Sequence, residues 1–417
     1  MHNKARAPFY LAASMLTLAA AALAGCGGAT DKTDTATPSP NPTPTNPTPT
    51  TPIGVSFVQP SNNVLEANAS ESLSADVKVN GSAAPNGTSV TFSINPSGVA
   101  TLAPVAPTTV TGVAASTMTL SSLPPSATFQ VTATAISSAN TATDNLTYYV
   151  RPAHNKLEVL LPAYFSATGT SSPWAALTLS AQSNPDVRIT AIAKPSDGTL
   201  NSASTADAAL LTALTAFKAV PGTSNKIIGY VATSSGSSGA LSVADVKATI
   251  DNYIRLYPGQ LDGFFLDGMA TDSARLAYFQ DIFTYINKGI TTGTSSVPPS
   301  VFGNPGTYPV AAYATVADTL VTYAGNAAAY TSVDPQPAST WVYGKNNIAQ
   351  AMLVHTASTC TDMQSAVKNA NRPRMNTGFV YATNLTIGAP WSALPTYWQQ
   401  LLGTVDAINK SRTLPSC

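Results

Sequence analysis

The stretch LDGFFLDGM, residues 261–269, contains the feature that decides the fold, an apolar run that ends on an acid. Apolar residues 264–266 are followed by Asp267 and then by Gly268. A nearly continuous apolar run is typical of a strand covered on both faces, as in a parallel sheet. The acid then lies at the carboxyl end of the strand, where a parallel barrel places its functional residues. The stretch therefore predicts a buried barrel strand with Asp267 at its rim.

Apolar runs of this kind alternate with amphipathic segments from about residue 154 to the end of the chain. The eight runs are LEVLLPAYF (157–165), VRITAIAKP (187–195), KIIGYVATS (226–234), LDGFFLD (261–267), SVFGNPG (300–306), TLVTYAG (319–325), IAQAMLVHT (348–356) and GFVYATN (378–384). Clear helical spacing occurs at 243–257, 273–289 and 394–410. Eight strand–helix repeats over about 260 residues match a (β/α)8 barrel in number and size. We therefore predict an α/β TIM barrel for residues 154–417.

Residues 54–152 have a different pattern, with short runs rich in Val, Thr and aromatic residues that mostly alternate apolar and polar. Seven such strands in about 100 residues match the number in an immunoglobulin-like sandwich. The stretches NGTSVTFSI, GVATL and TGVAASTMTL resemble bacterial Ig-like domains of the invasin type. We predict an all-β, Ig-like sandwich that precedes the barrel. Its expected role is that of a spacer, and binding is the alternative.

Residues 1–26 have the organisation of a bacterial export signal. Two basic residues precede an apolar core that is short for a membrane span. The sequence LAGC, which ends at Cys26, resembles a lipobox and implies that Cys26 is lipidated, with an ordinary cleaved signal as the alternative. Residues 27–53 are mostly Thr, Pro, Ser and Asn, which predicts a disordered stalk. We expect an exported protein that contacts the membrane through the lipid anchor only. Gly27 after the cysteine favours the outer membrane or the cell surface.

Charge and cysteine content limit the partners. The chain has 20 acidic and 20 basic residues, and only 10% of its residues are charged, so it lacks the basic stripe of a nucleic-acid-binding protein. No His or Cys spacing resembles a zinc site, and neither a Gly-rich phosphate loop nor a serine nucleophile elbow is present. We predict no metal and no cofactor. Cys360 and Cys417 are expected to form a disulfide in an oxidising compartment, with two free buried thiols as the alternative.

The residues at or after the ends of the predicted strands are mainly aromatic and polar. In chain order they are Tyr164, Lys194, Tyr230, Asp267, Asn304, Tyr308, Tyr323, His355, Tyr381 and Trp391. Sugars have apolar ring faces fringed by hydroxyls, and a cleft of aromatic and hydrogen-bonding side chains suits them. The alternatives are rim packing for the tyrosines, a solvent-directed Lys194 and a structural His355. An acid at the end of an apolar run costs free energy to place, so Asp267 is the first catalytic candidate.

Several stretches, in this order and spacing, resemble spherulation-specific family 4, the spherulin-4 family. They are LLPAYF, IIGYVATSSG, LDGFFLDG, GNPGTYP and LPTYW. The resemblance covers about residues 157–410. It implies a barrel whose characterised relatives are glycoside hydrolases that act on polysaccharides rich in α-1,4-linked N-acetylgalactosamine.

The chain departs from the family pattern at the acids. Hydrolysis of a glycosidic bond normally uses two carboxyl groups. Asp267 is present, but the resemblance places glutamates where this chain has Gly268 and Ala324. Asp272 and Asp197 are the remaining candidates for a second acid, although Asp272 is expected to cap the next helix. Loss of a general acid or base costs about 10²–10⁴-fold in rate.

Three functions are compatible with these observations. The preferred one is a surface lipoprotein that binds an amino-sugar-rich polysaccharide and has degenerate catalytic carboxylates. The second is an active glycoside hydrolase that uses Asp267 with a rearranged partner. The third is a structural or adhesive surface protein in which the Ig-like module binds the ligand.

Overall fold

The computed structural model describes residues 52–58, 62–138, 140–222, 224–234, 241–289 and 298–417. The predicted export signal with Cys26, and nearly all of the predicted stalk, lie outside these residues. The described residues belong to one compact unit, Thr50–Cys417. It contains two sheets, which we call the β-module, followed by a closed barrel. Within the described ranges, no helix has the length and apolar character needed to cross a bilayer.

The β-module contains nine strands in two sheets. They are β1 (Ile53–Phe57), β2 (Val64–Glu66), β3 (Ser70–Val79), β4 (Ser82–Ala83), β5 (Ser89–Asn95), β6 (Ala100–Ala103), β7 (Val113–Leu120), β8 (Thr128–Ser137) and β9 (Asn140–Arg151). One sheet has the order β1-β3-β7-β6, with β4 paired to β3, and the other has the order β2-β9-β8-β5. Seven strands match the predicted runs, and the short β2 and β4 were not predicted. All pairs are antiparallel except β2 with β9, which is parallel.

A single apolar core joins the two sheets. The alternating pattern of β3 buries Leu73, Ala75 and Val77 and leaves the residues between them more exposed. Phe57 of the first sheet lies with its ring centroid 6.0 Å from that of Phe92 in the second. This packing explains the period-two hydrophobicity of the segment, because each sheet has one face on the core and one face in water.

The predicted eight-stranded parallel barrel is confirmed. Its strands are β10 (Glu158–Ala163), β11 (Ile189–Ala193), β12 (Lys226–Ala232), β13 (Gly263–Asp267), β14 (Ser300–Asn304), β15 (Thr319–Asn326), β16 (Gln350–His355) and β17 (Phe379–Ala382). They pair in sequence order, and β10 pairs with β17 to close the barrel. Most strand residues are buried, as expected for strands with side chains on an inner core and an outer helical layer.

The outer layer contains seven α-helices among the described residues. They are α1 (Pro173–Ser183), α2 (Ala208–Lys218), α3 (Val243–Leu256), α4 (Leu276–Gly289), α5 (Ala327–Tyr330), α6 (Cys360–Ala370) and α7 (Trp398–Asn409). The prediction of a regular helix after every strand is wrong after β14. That connection, residues 305–318, contains Pro305 and Pro309 and forms only the 3₁₀ turn Ala311–Thr315. Helix α5 is also reduced to about one turn.

Cys360 at the start of α6 forms a disulfide with Cys417, the last residue. The side-chain amide of Gln364, one turn into α6, donates a 2.8 Å hydrogen bond to the carbonyl of Pro415. The C-terminal segment is therefore held against α6 by a covalent bond and a hydrogen bond.

The β-module packs against the end of the barrel at which the strands begin. Val64 of β2 is buried together with Val342 and Tyr343, which precede β16. Asn63 contacts Gln336 and Arg374 through side-chain hydrogen bonds. We call this contact, formed by Asn63, Val64, Gln336, Tyr343 and Arg374, the junction.

Candidate functional site

The carboxylate of Asp267 is fixed by side chains from both neighbouring strands. Asp267 ends β13, where its register partners are Ala232 at the end of β12 and Asn304 at the end of β14. Its Oδ2 accepts a 2.7 Å hydrogen bond from the hydroxyl of Tyr230, and its Oδ1 accepts a 2.7 Å bond from Nδ2 of Asn304. Charge-assisted hydrogen bonds of this length are among the stronger ones in proteins. The carboxylate therefore has a defined orientation at the carboxyl end of the barrel.

Tyr230 is held in place from several sides. Its ring meets that of Tyr164 edge-on at 5.4 Å, and the ammonium group of Lys194 lies 4.8 Å from its ring centroid. A Cβ on Gly198, whose φ is +81°, would lie only 2.4 Å from this ring, so the loop after β11 needs glycine there. Burial, and then the negative charge of Asp267, raise the pKa of Tyr230 well above its ordinary value. The phenol consequently stays protonated and donates to Asp267.

A cleft of about 270 Å³ lies beside this pair, between the loops after β10 and β11. It is lined by Tyr164, Lys194 and Asp197, three of the predicted site residues, and also by Asp207. Lys194 also lies 5.2 Å from the ring centroid of Tyr164, so its charge is placed over two aromatic faces. We call Tyr164, Lys194, Tyr230, Asp267 and Asn304 the mouth site. The structure brings these five residues together, as the sequence predicts.

Asp207 is the acidic residue of the cleft that sequence reasoning missed. It is the N-cap of α2, where Oδ1 accepts a hydrogen bond from the backbone N–H of Leu210. An aspartate directly before an apolar periodic segment predicts a helix cap. Its place in the cleft could not be predicted from the sequence, because it depends on how the β11–α2 loop folds back toward β10.

A second group of predicted residues lies after β16 and β17. The ring of His355 meets Trp391 edge-on at 6.2 Å, and its Nδ1 lies 2.8 Å from the hydroxyl of Thr356. Burial lowers the pKa of His355, which favours a neutral imidazole. The prediction that Tyr381 binds substrate is corrected, because its side chain is fully buried against Trp391 and Trp398. His355 and Trp391 thus form a separate, partly covered part of the rim.

Two further tyrosines of the predicted set, Tyr308 and Tyr323, are half-buried and pack against the barrel core, and their assignment to substrate binding stays a prediction. The hydroxyl of Tyr323 donates a 2.6 Å hydrogen bond to the carbonyl of Asn326, and its ring packs 4.9 Å from that of Tyr330. Tyr308 packs against the apolar cluster of the junction, and burial raises its pKa. Both side chains support the connections that follow β14 and β15.

The candidates for a second acid occupy different settings. Asp272 is exposed and caps the 3₁₀ turn Ser273–Arg275 through a 2.8 Å bond from the N–H of Ala274 to its Oδ1, so the capping interpretation is correct. Asp197 is exposed and faces the cleft beside the mouth site. Gly268 has a φ of +71°, a conformation that L side chains rarely adopt, so a glutamate there would strain this backbone.

Ala324 lies beside the loop after β14. Its backbone N–H donates a 3.0 Å bond to the carbonyl of Gly306. A Cβ built on Gly306 would be 3.7 Å from the Cβ of Ala324 and 3.9 Å from Oδ1 of Asn304. Ala324 thus borders the loop that follows Asn304, and its methyl side chain provides no proton donor. Among the described residues, no group of His, Cys, Asp and Glu side chains is arranged to hold a metal ion.

The sequence model of spherulation-specific family 4 matches residues 158–405, from the start of β10 into α7. The chain belongs to spherulation-specific family 4. Spherulin-4 of Physarum polycephalum is 30% identical over 193 residues, which are 44% of this chain and 53% of that protein. This member of spherulation-specific family 4 therefore spans about half the length of the curated relative that it matches.

Two solved structures are also similar. Sph3 of Aspergillus clavatus, in complex with GalNAc, has 19% identity and a TM-score of 0.48, over 60% of this chain and 97% of that chain. A family 39 glycoside hydrolase from Bacteroides cellulosilyticus has 9% identity and a TM-score of 0.39, over 85% of this chain and 83% of that chain.

Proposed function

We propose that the mouth site binds an amino-sugar-rich polysaccharide and that its hydrolytic chemistry is degenerate. The observation that carries this proposal is the arrangement around Asp267. Both of its oxygens accept hydrogen bonds from neutral donors, and the two positions at which the family resemblance places glutamates carry Gly268 and Ala324. Membership of spherulation-specific family 4 supports the class of ligand.

The mouth site suits binding because each group can contact a sugar without transferring a proton. Each carboxylate oxygen of Asp267 has accepting capacity beyond the bond it already receives, and a sugar hydroxyl or amide N–H can use it. Tyr164, which lines the cleft, supplies aromatic surface for an apolar ring face, while the buried Tyr230 orients Asp267. Cleavage would also require an acid to protonate the leaving oxygen and a base or nucleophile to act on the anomeric carbon. Asp267 alone does not supply both.

We further propose that the protein is exported and lipid-anchored at the outer membrane or cell surface. Residues 1–26 would be the signal with a lipidated Cys26, and residues 27–53 the stalk. Residues 54–152 would be an Ig-like sandwich that precedes a barrel at 154–417. The strand orders support the Ig-like assignment, because β1-β3-β7-β6 and β9-β8-β5 reproduce the ABED and GFC sheets of that fold.

The experiment that tests binding uses the full chain immobilised on a solid support. A fluorescent α-1,4-linked N-acetylgalactosamine polymer is passed over wild type, Asp267→Asn and Asp281→Asn. Asp281 is a matched control, because it is a helix acid of α4 paired with Lys247 on the outer surface. We expect wild type and Asp281→Asn to retain the polymer and Asp267→Asn to lose at least tenfold in retention. Equal retention by all three proteins contradicts the proposal.

A second candidate function is hydrolysis with Asp267 and Asp197 as the pair. The observation that favours it is the position of Asp197 on the cleft that adjoins the mouth site. Two carboxyl groups about 5–10 Å apart would be compatible with a glycosidase. New reducing ends that disappear in both Asp267→Asn and Asp197→Asn would establish this function in place of simple binding.

A further inference from the structure

A cavity of about 430 Å³ lies between the short helix α5 and helix α6, and it shares no lining residue with the cleft of the mouth site. It begins where two neighbouring strands end, because Ala327 follows the last residue of β15 and Thr356 follows the last residue of β16. Since these strands run parallel to β13, the cavity is at the same end of the barrel as Asp267. Sites for small ligands usually have volumes of about 300–1,000 Å³. We call this feature the α5–α6 cavity.

The walls of the α5–α6 cavity combine methyl groups with oxygen atoms. Ala327 and Ala328 of α5 and Ala366 of α6 provide small apolar surfaces. The polar side chains in the lining are those of Thr331, Thr356, Asp362, Ser365 and Asn369. Among the described residues, none that lines the cavity is basic. A largely apolar wall with a few polar groups is the usual composition of a small-ligand site.

Two hydroxyl groups in the lining already donate their proton to the protein. Ser365 donates a 2.9 Å hydrogen bond to the carbonyl of Thr361, and Thr331 donates a 2.8 Å bond to the carbonyl of Ala328. A hydroxyl has one donor and two acceptor lone pairs. These two oxygens therefore offer a ligand accepting capacity only.

Asp362 adds a negative charge to this accepting surface. Its exposed carboxylate accepts one 2.9 Å hydrogen bond at Oδ2, from the backbone N–H of Thr359 in the capping box of α6. No side chain of the described residues donates to it or forms an ion pair with it. Arg372 does not line the cavity, and its guanidinium bonds to Oδ1 of Asn369. The lining thus suits a ligand that donates hydrogen bonds and carries a positive charge.

Thr356 has a strained backbone where it lines the cavity. Its φ is +57°, in the left-handed region that a β-branched residue rarely adopts. Its backbone N–H donates a 2.8 Å bond to the carbonyl of Leu385, and its hydroxyl lies 2.8 Å from Nδ1 of His355. Conformations of this kind cost free energy and cluster at ligand sites. The strain therefore adds to the case for a binding role.

We propose that the α5–α6 cavity is a second saccharide site and that it binds a hexosamine unit with a free, protonated amino group. The ammonium group pairs with Asp362, and ring hydroxyls donate to Ser365 and Thr331. The apolar face of the ring lies against the alanines. N-acetylation removes the positive charge, so this site selects de-N-acetylated units of the amino-sugar polysaccharide. The inference rests on the proposed function for the identity of the polymer, whereas the cavity and its charge are independent of it.

The first test isolates the cavity by using the full chain with Asp267→Asn, which removes the acid of the mouth site. A short α-1,4-linked galactosamine oligomer with free amino groups is titrated into this protein in a calorimeter, and its fully N-acetylated form is titrated in parallel. We expect the free-amine oligomer to bind at least tenfold more tightly than the acetylated one. Absence of binding by the free-amine oligomer, or equal affinity for the two oligomers, overturns the inference.

The second test compares Asp362→Asn with Asp245→Asn in the same background. Both residues are the acid of a capping box, at the third position of α6 and of α3, but Asp245 does not line the cavity. Both variants lose the same kind of capping contact, and their midpoints of thermal unfolding measure that structural effect. We expect only Asp362→Asn to lose at least tenfold in affinity for the free-amine oligomer. Equal affinities of the two variants overturn the inference.

The third test fills the cavity. Ala328 and Ala329 are both exposed on α5, but only Ala328 lines the cavity. We expect Ala328→Phe to lose at least tenfold in affinity for the free-amine oligomer and Ala329→Phe to keep it, and tight binding by Ala328→Phe overturns the inference. Retention of the N-acetylated polymer by wild type is measured separately and decides the function of the mouth site, so failure of either proposal is recognised by itself.

Discussion

The hydroxyl of Tyr230 donates a 2.7 Å hydrogen bond to Oδ2 of Asp267, 37 positions further along the chain on the neighbouring strand. Tyr230→Phe removes this donor and leaves the ring packing intact. We expect polymer binding to weaken by up to about tenfold, because Asp267 loses one of the two hydrogen bonds that fix its orientation toward the ligand. Binding titrations with the α-1,4-linked N-acetylgalactosamine polymer measure the change.

Tyr285→Phe is the matched control for this prediction. Its hydroxyl bonds an aspartate in the same way, with a 2.6 Å contact to Asp251, but on the outer helices α3 and α4. It should bind the polymer as wild type does. Equal losses in Tyr230→Phe and Tyr285→Phe would show that the effect is unrelated to the mouth site.

Replacement of Asn63 is expected to destabilise the protein through the junction. Asn63→Ala leaves Gln336 and Arg374 without their shared partner, which costs about 1–3 kcal/mol for groups that are partly buried. The midpoint of thermal unfolding should fall accordingly. Asn145→Ala, which removes only an exposed 2.6 Å contact with Thr132, should change the stability by less than about 0.5 kcal/mol. Equal midpoints of thermal unfolding for Asn63→Ala and Asn145→Ala would show that the junction does not contribute to the stability of the protein.

The disulfide predicts a loss of stability on reduction. Cys360 and Cys417 are 57 positions apart, and closing a loop of this size stabilises a protein by about 2–4 kcal/mol. Cys417→Ser and Cys360→Ser are each expected to lower the free energy of unfolding by about 2–4 kcal/mol. The denaturation midpoint should fall accordingly. The double variant should match the single variants, because the same bond is removed. A wild-type midpoint that is insensitive to reductant would contradict this account.

His355 predicts a pH dependence of stability. Burial lowers its pKa in the folded protein below the ordinary value of 6.5, so the unfolded chain takes up a proton first as the pH falls. The unfolded state then binds more protons, and the free energy of unfolding decreases as the pH drops below about 6.5. In His355→Gln the free energy of unfolding should decrease less over this pH range. Urea titrations at several pH values measure the difference. An unchanged slope would show that His355 is not responsible.

The barrel was predictable because each strand has a local signal. An apolar run such as 261–267 must be covered on both faces, and eight such runs with intervening helices leave few alternatives to a closed parallel barrel. The absence of an α-helix after β14 was not anticipated, because the connection of residues 305–318 is long enough for a helix, although it contains two prolines. Strand β4, with two residues, is too short to have a periodicity.

The candidate site was predictable only in part. Asp267 and Asn304 are strand-end residues on adjacent strands, so their contact follows from the barrel register. The environment of Tyr323 was harder to predict from the sequence, because β15 has an irregularity between Val321 and Tyr323 that shifts its pairing with β16. Such a shift changes the face on which later side chains lie, and periodicity alone does not reveal it.

The junction had no sequence signal at all. Asn63, Gln336 and Arg374 are ordinary polar residues in loops, and only the folded chain brings them together. This finding also affects experimental design. A barrel fragment that begins at residue 154 would expose Val342 and Tyr343, so measurements of function require the β-module to be present.

The most direct test of the central claim is the length of the polymer after it has been bound. The full chain is incubated with α-1,4-linked N-acetylgalactosamine polymer, and the bound polymer is eluted and compared with the starting material by size-exclusion chromatography. Asp267→Asn is treated in parallel. We predict that wild type retains polymer of unchanged length and that Asp267→Asn retains little. Polymer shortened by wild type but not by Asp267→Asn would contradict the account and show that the mouth site is catalytically active.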